Sequence, residues 1–189
     1  DIKSLGDNGD KLANVLHWPR YDHELLHQSA ALSGISVPAL IHLDEHGPGF
    51  LERLHTLQDS AKYFEGLREA ILRDAAASAS IIVGRGGVML LPSATTLHLR
   101  LVASVQDRVV RTMREHWLAE GPARAMVKTQ DDARAAFHRH YFRVDWADPL
   151  LYHAVFNTSR IDLEPLTVMV AGCLTSGQSS ISEEEEHHG

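Results

Sequence analysis

The sequence has one cysteine, Cys173, so no disulfide can form within the chain. Its apolar surroundings make it read as a core residue of a helix. No apolar run approaches the roughly 20 residues of a membrane span, and no leader pattern stands ahead of the first polar residues. With the lone thiol, these absences fit a cytoplasmic protein without a membrane partner. Positive charge is not in excess: 18 Lys and Arg face 25 Asp and Glu, a net charge of −7. That excludes a general nucleic-acid binder, which carries a basic stripe. No Ser-His-Asp ordering or nucleophile elbow is present. The 13 histidines are scattered, and His116, His138 and His140 do not fall at metal-ligand spacing, so no metal-binding residue is assigned. No repeat appears, and no complete G-x-x-x-x-G-K-[ST] pattern occurs.

What is present is an ordinary globular composition, 44% hydrophobic and 23% charged, sufficient to bury one core. Residues 1–4 read as the end of a strand and residues 5–9, rich in Gly, Asn and Asp, as a turn. Residues 11–17 have a short helical pattern, stopped by Trp18-Pro19. Helices are expected over 22–32, from 36 or 38, over 50–57 and over 61–77. Residues 80–83, a β-branched run, form the clearest strand and end abruptly in Gly84-Arg85-Gly86-Gly87. A strand over 97–102, a helix over 104–119, a break at Gly121-Pro122 and a helix over 129–142 follow. A strand over 151–156, a turn at Asn157-Thr158-Ser159 and a helix over 162–174 complete the pattern. Residues 176–189 are Ser- and Glu-rich and are expected to be disordered. This alternation predicts an α/β fold with a parallel sheet and helices on both faces. Ligands of such sheets bind at the carboxyl ends of the strands.

Four groups of residues bear chemistry. Gly6, Asp7, Asn8 and Gly9, followed by Lys11, suit either a simple strand-to-helix turn or a loop whose backbone N–H groups face a phosphate. Arg85 after a buried strand suits either a surface turn or a bidentate grip on an anion. Arg108, Arg111 and Arg114 are spaced along one helix, with the first two on a common face. Asp131-x-x-Arg134 suits either an i, i+3 surface pair or a group that neutralises transferring phosphate charge.

Together these segments resemble one family. Ile82-Val83-Gly84-Arg85-Gly86-Gly87, Leu91-Pro92-Ser93-Ala94, Leu97 through Ser104 and Asp107-Arg108-Val109-Val110-Arg111 are similar to the central part of the cytidylate kinase-like family. Asp131-x-x-Arg134, Asp148-Pro149-x-x-Tyr152 and Phe156-Asn157-Thr158-Ser159 resemble its carboxyl-terminal half. Leu12 through Leu26 resembles the helix and acceptor-side segment after its phosphate loop. The resemblance implies a P-loop NTPase three-layer fold over residues 1–175 with a mobile helical lid at roughly 115–147. It implies phosphoryl transfer from ATP, with Mg²⁺, to a CMP-like nucleoside monophosphate. Gly6, Asp7, Asn8, Gly9 and Lys11, with Asn157 and Thr158, would contact the donor. Asp22 and Arg85 would hold the acceptor. Arg108, Arg111, Asp131 and Arg134 would be catalytic. The partners implied are small nucleotides, and a homo-oligomer stays open.

Three departures accompany the resemblance. The stretch between Gly6 and Leu12 is about one helical turn short, Lys11 is out of place, and Gly86 stands where cytidylate kinases have Asp. A nucleotide-binding module with weak or no turnover, or a kinase for another small acceptor, are the alternative readings.

Overall fold

The computed structural model describes residues 2–21, 31–32, 60–84 and 86–185. Helix α1 (Ile2–Leu16) leads through residues 17–19 to strand β1 (Arg20–Tyr21). Then come α2 (Ser60–Ala77), β2 (Ile81–Ile82) and the short α3 (Gly87–Leu90). Strand β3 (Leu99–Val102) precedes α4 (Val105–His116) and α5 (Glu120–Phe142). A 3₁₀ turn (Pro149–Leu151), β4 (Ala154–Asn157) and α6 (Leu163–Glu185) close the chain.

The strands form two parallel pairs. Arg20 and Tyr21 of β1 pair with Ile81 and Ile82 of β2. Leu99 through Val102 of β3 pair in register with Ala154 through Asn157 of β4. Among the described residues these remain two separate two-stranded sheets, where the sequence pattern predicts one continuous sheet. Helix α1 packs on β1, β2 and α6, and α4 packs on α5.

Several local expectations are corrected. Residues 2–9 are neither strand nor turn but the first half of α1. Gly9 explains part of this: a Cβ there would lie 2.9 Å from Arg20 Nε and 3.1 Å from Val83 Cγ2. The glycine therefore lets the helix approach β1 and β2, which offsets its helix cost of about 1 kcal/mol. Gly121 and Pro122 do not break a helix, because they lie in the first turn of α5. Proline is tolerated there, since its missing N–H has no intrahelical partner to lose. The break falls earlier, at Trp117, whose φ of 54° ends α4 in the left-handed region. The last strand starts at Ala154, after the 3₁₀ turn that Asp148 caps by accepting the Leu150 N–H. Helix α6 runs on to Glu185, past the point where disorder is expected. Gln and Glu propagate a helix at little cost once it is nucleated. Cys173 is exposed on α6 rather than in the core. Of the expected helix over 22–32 only residues 31–32 are described, and they are helical; the helices expected from 36 or 38 and over 50–57 lie outside the described residues.

Helix α4 starts for a readable reason. The Ser104 hydroxyl accepts the Asp107 N–H at 3.1 Å and donates to Asp107 Oδ2 at 2.7 Å, satisfying one of the helix's open N–H groups. Val109 of α4 and Ala123 and Val127 of α5 form a buried cluster flanked by Met113 and Leu118. Each fully buried valine there contributes roughly 1.5–3 kcal/mol, which fixes α5 along α4. In α2, Leu67, Ala70 and Ile71 are buried. No helix among the described residues is long and apolar enough to cross a membrane.

Candidate active site

The packing of α4 on α5 joins two segments that are 23 residues apart in sequence. Arg108 donates from Nη1 to Asp131 Oδ1 at 2.6 Å and from Nη2 to Oδ2 at 2.7 Å, a bidentate pair. Arg134, one turn further along α5, is buried and lies 3.9 Å from the same Oδ1. These three side chains line a cavity of about 620 Å³ between β2 and β3. Arg100 of β3 lines it as well. Asp131 is the only carboxylate on its described walls against the guanidiniums of Arg100, Arg108 and Arg134. The walls therefore carry an excess of positive charge, which an oxyanion would neutralise.

A second layer holds the arginines. Trp146 lies under two of them, with its ring 4.5 Å from the Arg100 guanidinium carbon and 5.0 Å from that of Arg134. Cation–π contact accounts for how two like charges can share this corner. The buried His138 stacks on the far side of the cluster, its ring 6.1 Å from Trp146 and tilted by 26°. Arg100 Nη1 donates to the Ala147 carbonyl at 2.8 Å, and the Tyr152 hydroxyl donates to the Trp146 carbonyl at 2.9 Å. Burial pushes the Tyr152 phenol above its ordinary range, against the pull of Arg100 and Arg134. Among the described residues, the Nε atoms of Arg100 and Arg108 are buried without a hydrogen-bond partner.

The fate of the sequence-predicted residues divides. Arg108, Asp131 and Arg134 come together. Arg111 is not among the cavity walls; its charge instead acts on Asp107, whose carboxyl is held low first by the Ser159 and Ser104 hydroxyls. Asn157 and Thr158 build the turn after β4. Asn157 Oδ1 accepts the Ser159 N–H, and Thr158 donates from both N and Oγ1 to the Val102 carbonyl. Gly6, Asp7, Asn8 and Gly9 are within α1, and Lys11 is exposed on it. Their N–H groups belong to the helix ladder, so a phosphate loop does not fit at these residues. Among the described residues, no three His, Cys, Asp or Glu side chains converge as metal ligands. The walls present suit phosphate oxygens. Asp22 and Arg85 lie outside the described residues.

Arg100, Trp146 and Tyr152 carry no role in the sequence reading. Arg100 had a signal: it interrupts the apolar run Leu97, Leu99, Leu101 on the alternate face of β3. Tyr152 had a signal only in the family segment Asp148-Pro149-x-x-Tyr152, without a role, and Trp146 had none, since a turn segment does not disclose which strand it rests on.

Parallel strand pairs flanked by helices, with an arginine-lined hollow beside them, define a mixed α/β protein suited to an anionic ligand. The chain belongs to the cytidylate kinase-like family, whose match spans residues 6–160. The small parallel sheets are consistent with a P-loop kinase-like fold. A crystal structure of an uncharacterized protein from Eubacterium ventriosum is similar, with a TM-score of 0.66 and 20% identity, covering 89% of this chain and 90% of that one. That likeness is one of fold. No curated protein matches the chain.

Proposed function

We propose that the protein transfers a phosphoryl group from ATP to a nucleoside monophosphate, with a CMP-like acceptor. The observation that carries this reading is the set of three guanidiniums and one carboxylate on the cavity walls, two of the guanidiniums beside that carboxylate. Phosphoryl transfer asks a protein mainly to align phosphates and neutralise charge on their oxygens. Arg134, buried and supported by Trp146, suits that role with little reorganisation. Arg108 would exchange Asp131 for phosphate oxygens, since both are bidentate partners of a guanidinium. That exchange calls for α5 to shift along α4, and residues 115–147 would serve as the lid.

The test incubates the protein with Mg-ATP and each nucleoside monophosphate in turn and follows ADP. Turnover that is fastest with CMP, and that falls on the order of a hundredfold or more in Arg134→Ala, is the expected result. Absence of ADP above background with every acceptor overturns the assignment.

One observation favours a second reading. Residues 6–9 are helical where a kinase needs a phosphate-cradling loop. A protein that holds a nucleotide without turnover would show a nucleotide-dependent rise in Tm while ADP stays at background.

A further inference from the structure

Arg100 is a charge set in an apolar strand. It stands between Leu99 and Leu101 of β3, where a charged side chain is costly unless its surroundings answer it. Its partners among the described residues are a carbonyl and two aromatic rings, none of them a carboxylate. Nη1 donates to the Ala147 carbonyl at 2.8 Å, and the guanidinium carbon lies 4.5 Å from the Trp146 ring and 5.7 Å from the Tyr152 ring. The Tyr152 hydroxyl in turn donates to the Trp146 carbonyl at 2.9 Å. The turn after α5 is thereby tied to β3 at successive carbonyls, with Arg100 at the centre of the tie.

The tie reaches back onto the helix. Helix α5 ends at Phe142, and Arg143 turns the chain with a φ of 59°. Arg134 lies eight residues, about 12 Å, before that end. The chain folds back so that Trp146 meets Arg134 at 5.0 Å and His138, one turn further on the same face, at 6.1 Å. Trp146 holds the Arg134 guanidinium by its face, and stacking consumes none of the N–H groups, which lie in the guanidinium plane. The ion contact of Arg134 with Asp131, at 3.9 Å, is longer than a hydrogen bond. Arg134 is therefore fixed while its donors stay available, whereas Arg100 uses a donor on Ala147. A clasp that only packed would gain nothing from two like charges on one ring. Their repulsion is relieved when an oxyanion arrives.

We infer that Arg100 and Trp146 are positioning residues: they set the Arg134 guanidinium on the cavity wall to meet the oxygens of the transferring phosphoryl group. The inference deepens the phosphotransfer reading and rests on it for the group that Arg134 meets.

The test measures kcat and KM per folded molecule, well below Tm, with Mg-ATP and CMP. The proteins are wild type, Arg100→Gln, Trp146→Phe, Trp146→Ala, Arg134→Ala and the double variant of Arg100→Gln with Arg134→Ala. A misplaced charge-neutralising group loses transition-state binding before ground-state binding. Arg100→Gln should lower kcat by about 10- to 100-fold with KM changed by less than about threefold. Trp146→Phe, which keeps a ring, should retain more of kcat than Trp146→Ala. In the Arg134→Ala background, Arg100→Gln should lower kcat by less than about twofold, because it acts through a group already removed. A merely structural loss would persist in that background. Side-chain NMR relaxation at Arg134 Nε reads the positioning without turnover: Arg100→Gln should take its order parameter from about 0.85 to below about 0.6. An unchanged order parameter, a kcat for Arg100→Gln within about threefold of wild type, or an undiminished loss in the Arg134→Ala background overturns the inference. Wild type that makes no ADP with any acceptor overturns the phosphotransfer reading instead; the order parameter alone then decides the positioning, a fall supporting it and no change refuting it.

Discussion

Replacing Asp131 by Asn tests the arrangement on which the site depends. The change removes the charge while keeping the shape, so Arg108 loses the bidentate ion pair of 2.6 and 2.7 Å and keeps at most one acceptor, the amide oxygen. The Arg108 side chain is only 15% exposed and Asp131 is 32% exposed. Breaking a fully buried pair costs about 3–5 kcal/mol and an exposed one about 0–1. This half-buried pair falls between, at about 1.5–2.5 kcal/mol. For a chain of this size each kcal/mol moves Tm by about 2–4 °C, so Tm should drop by about 3–10 °C. Urea denaturation of wild type, Asp131→Asn, Arg108→Gln and the double variant supplies the cycle. The two single changes should be non-additive by about 1 kcal/mol or more. A stability within about 0.5 kcal/mol of wild type for Asp131→Asn, or an additive cycle, would refute the claim that this pair fixes α4 against α5.

Three further outcomes are expected. Gly86→Asp, which places at this position the residue that cytidylate kinases carry, should destabilise by about 2 kcal/mol in chemical denaturation. Gly86 has φ of 68°, and a Cβ there would lie 2.9 Å from Phe142 Cζ. Trp146→Ala should cost about 2–4 kcal/mol in the same assay, from two cation–π contacts and lost apolar area, and Trp146→Phe should recover part of it. Acidification should weaken the fold through His98. Burial, and then the neighbouring His153, lower its pKa, opposed by a backbone hydrogen bond to Leu151. The unfolded chain therefore takes up the proton first. The stabilisation is complete above the ordinary histidine value of about 6.5 and is lost as pH falls through the lower folded value. Unfolding free energies at pH 7.5 and 5 should differ less in His98→Gln; an unchanged difference would count against this assignment.

How much was legible in the sequence depended on the range of the interaction that decides each element. The β-branched run at Ile81 and Ile82 and the periodicity of α2 were legible because both signals are local. Asp131-x-x-Arg134 was legible as a charged pair on a helix; its bidentate pair with Arg108 was not, because it depends on α4 packing on α5. The fate of residues 6–9 was not legible. Gly, Asn and Asp favour a turn locally, whereas the helix forms because Gly9 packs against Arg20 and Val83, which are distant in sequence. Gly121 and Pro122 misled for a related reason: the pattern shows a helix breaker but not whether it stands before or within the first turn. Asn157 and Thr158 were legible as a turn after a strand, but the two bonds from Thr158 to the Val102 carbonyl depend on β3 lying alongside.

The tryptophans offer an unplanned optical readout. Trp117 is 93% exposed, whereas Trp18 stands in the wall of the hollow and Trp146 is stacked among guanidiniums. A soluble collisional quencher such as acrylamide would quench the first most strongly. The emission that survives then reports, without any label, on whatever enters the space between the two strand pairs.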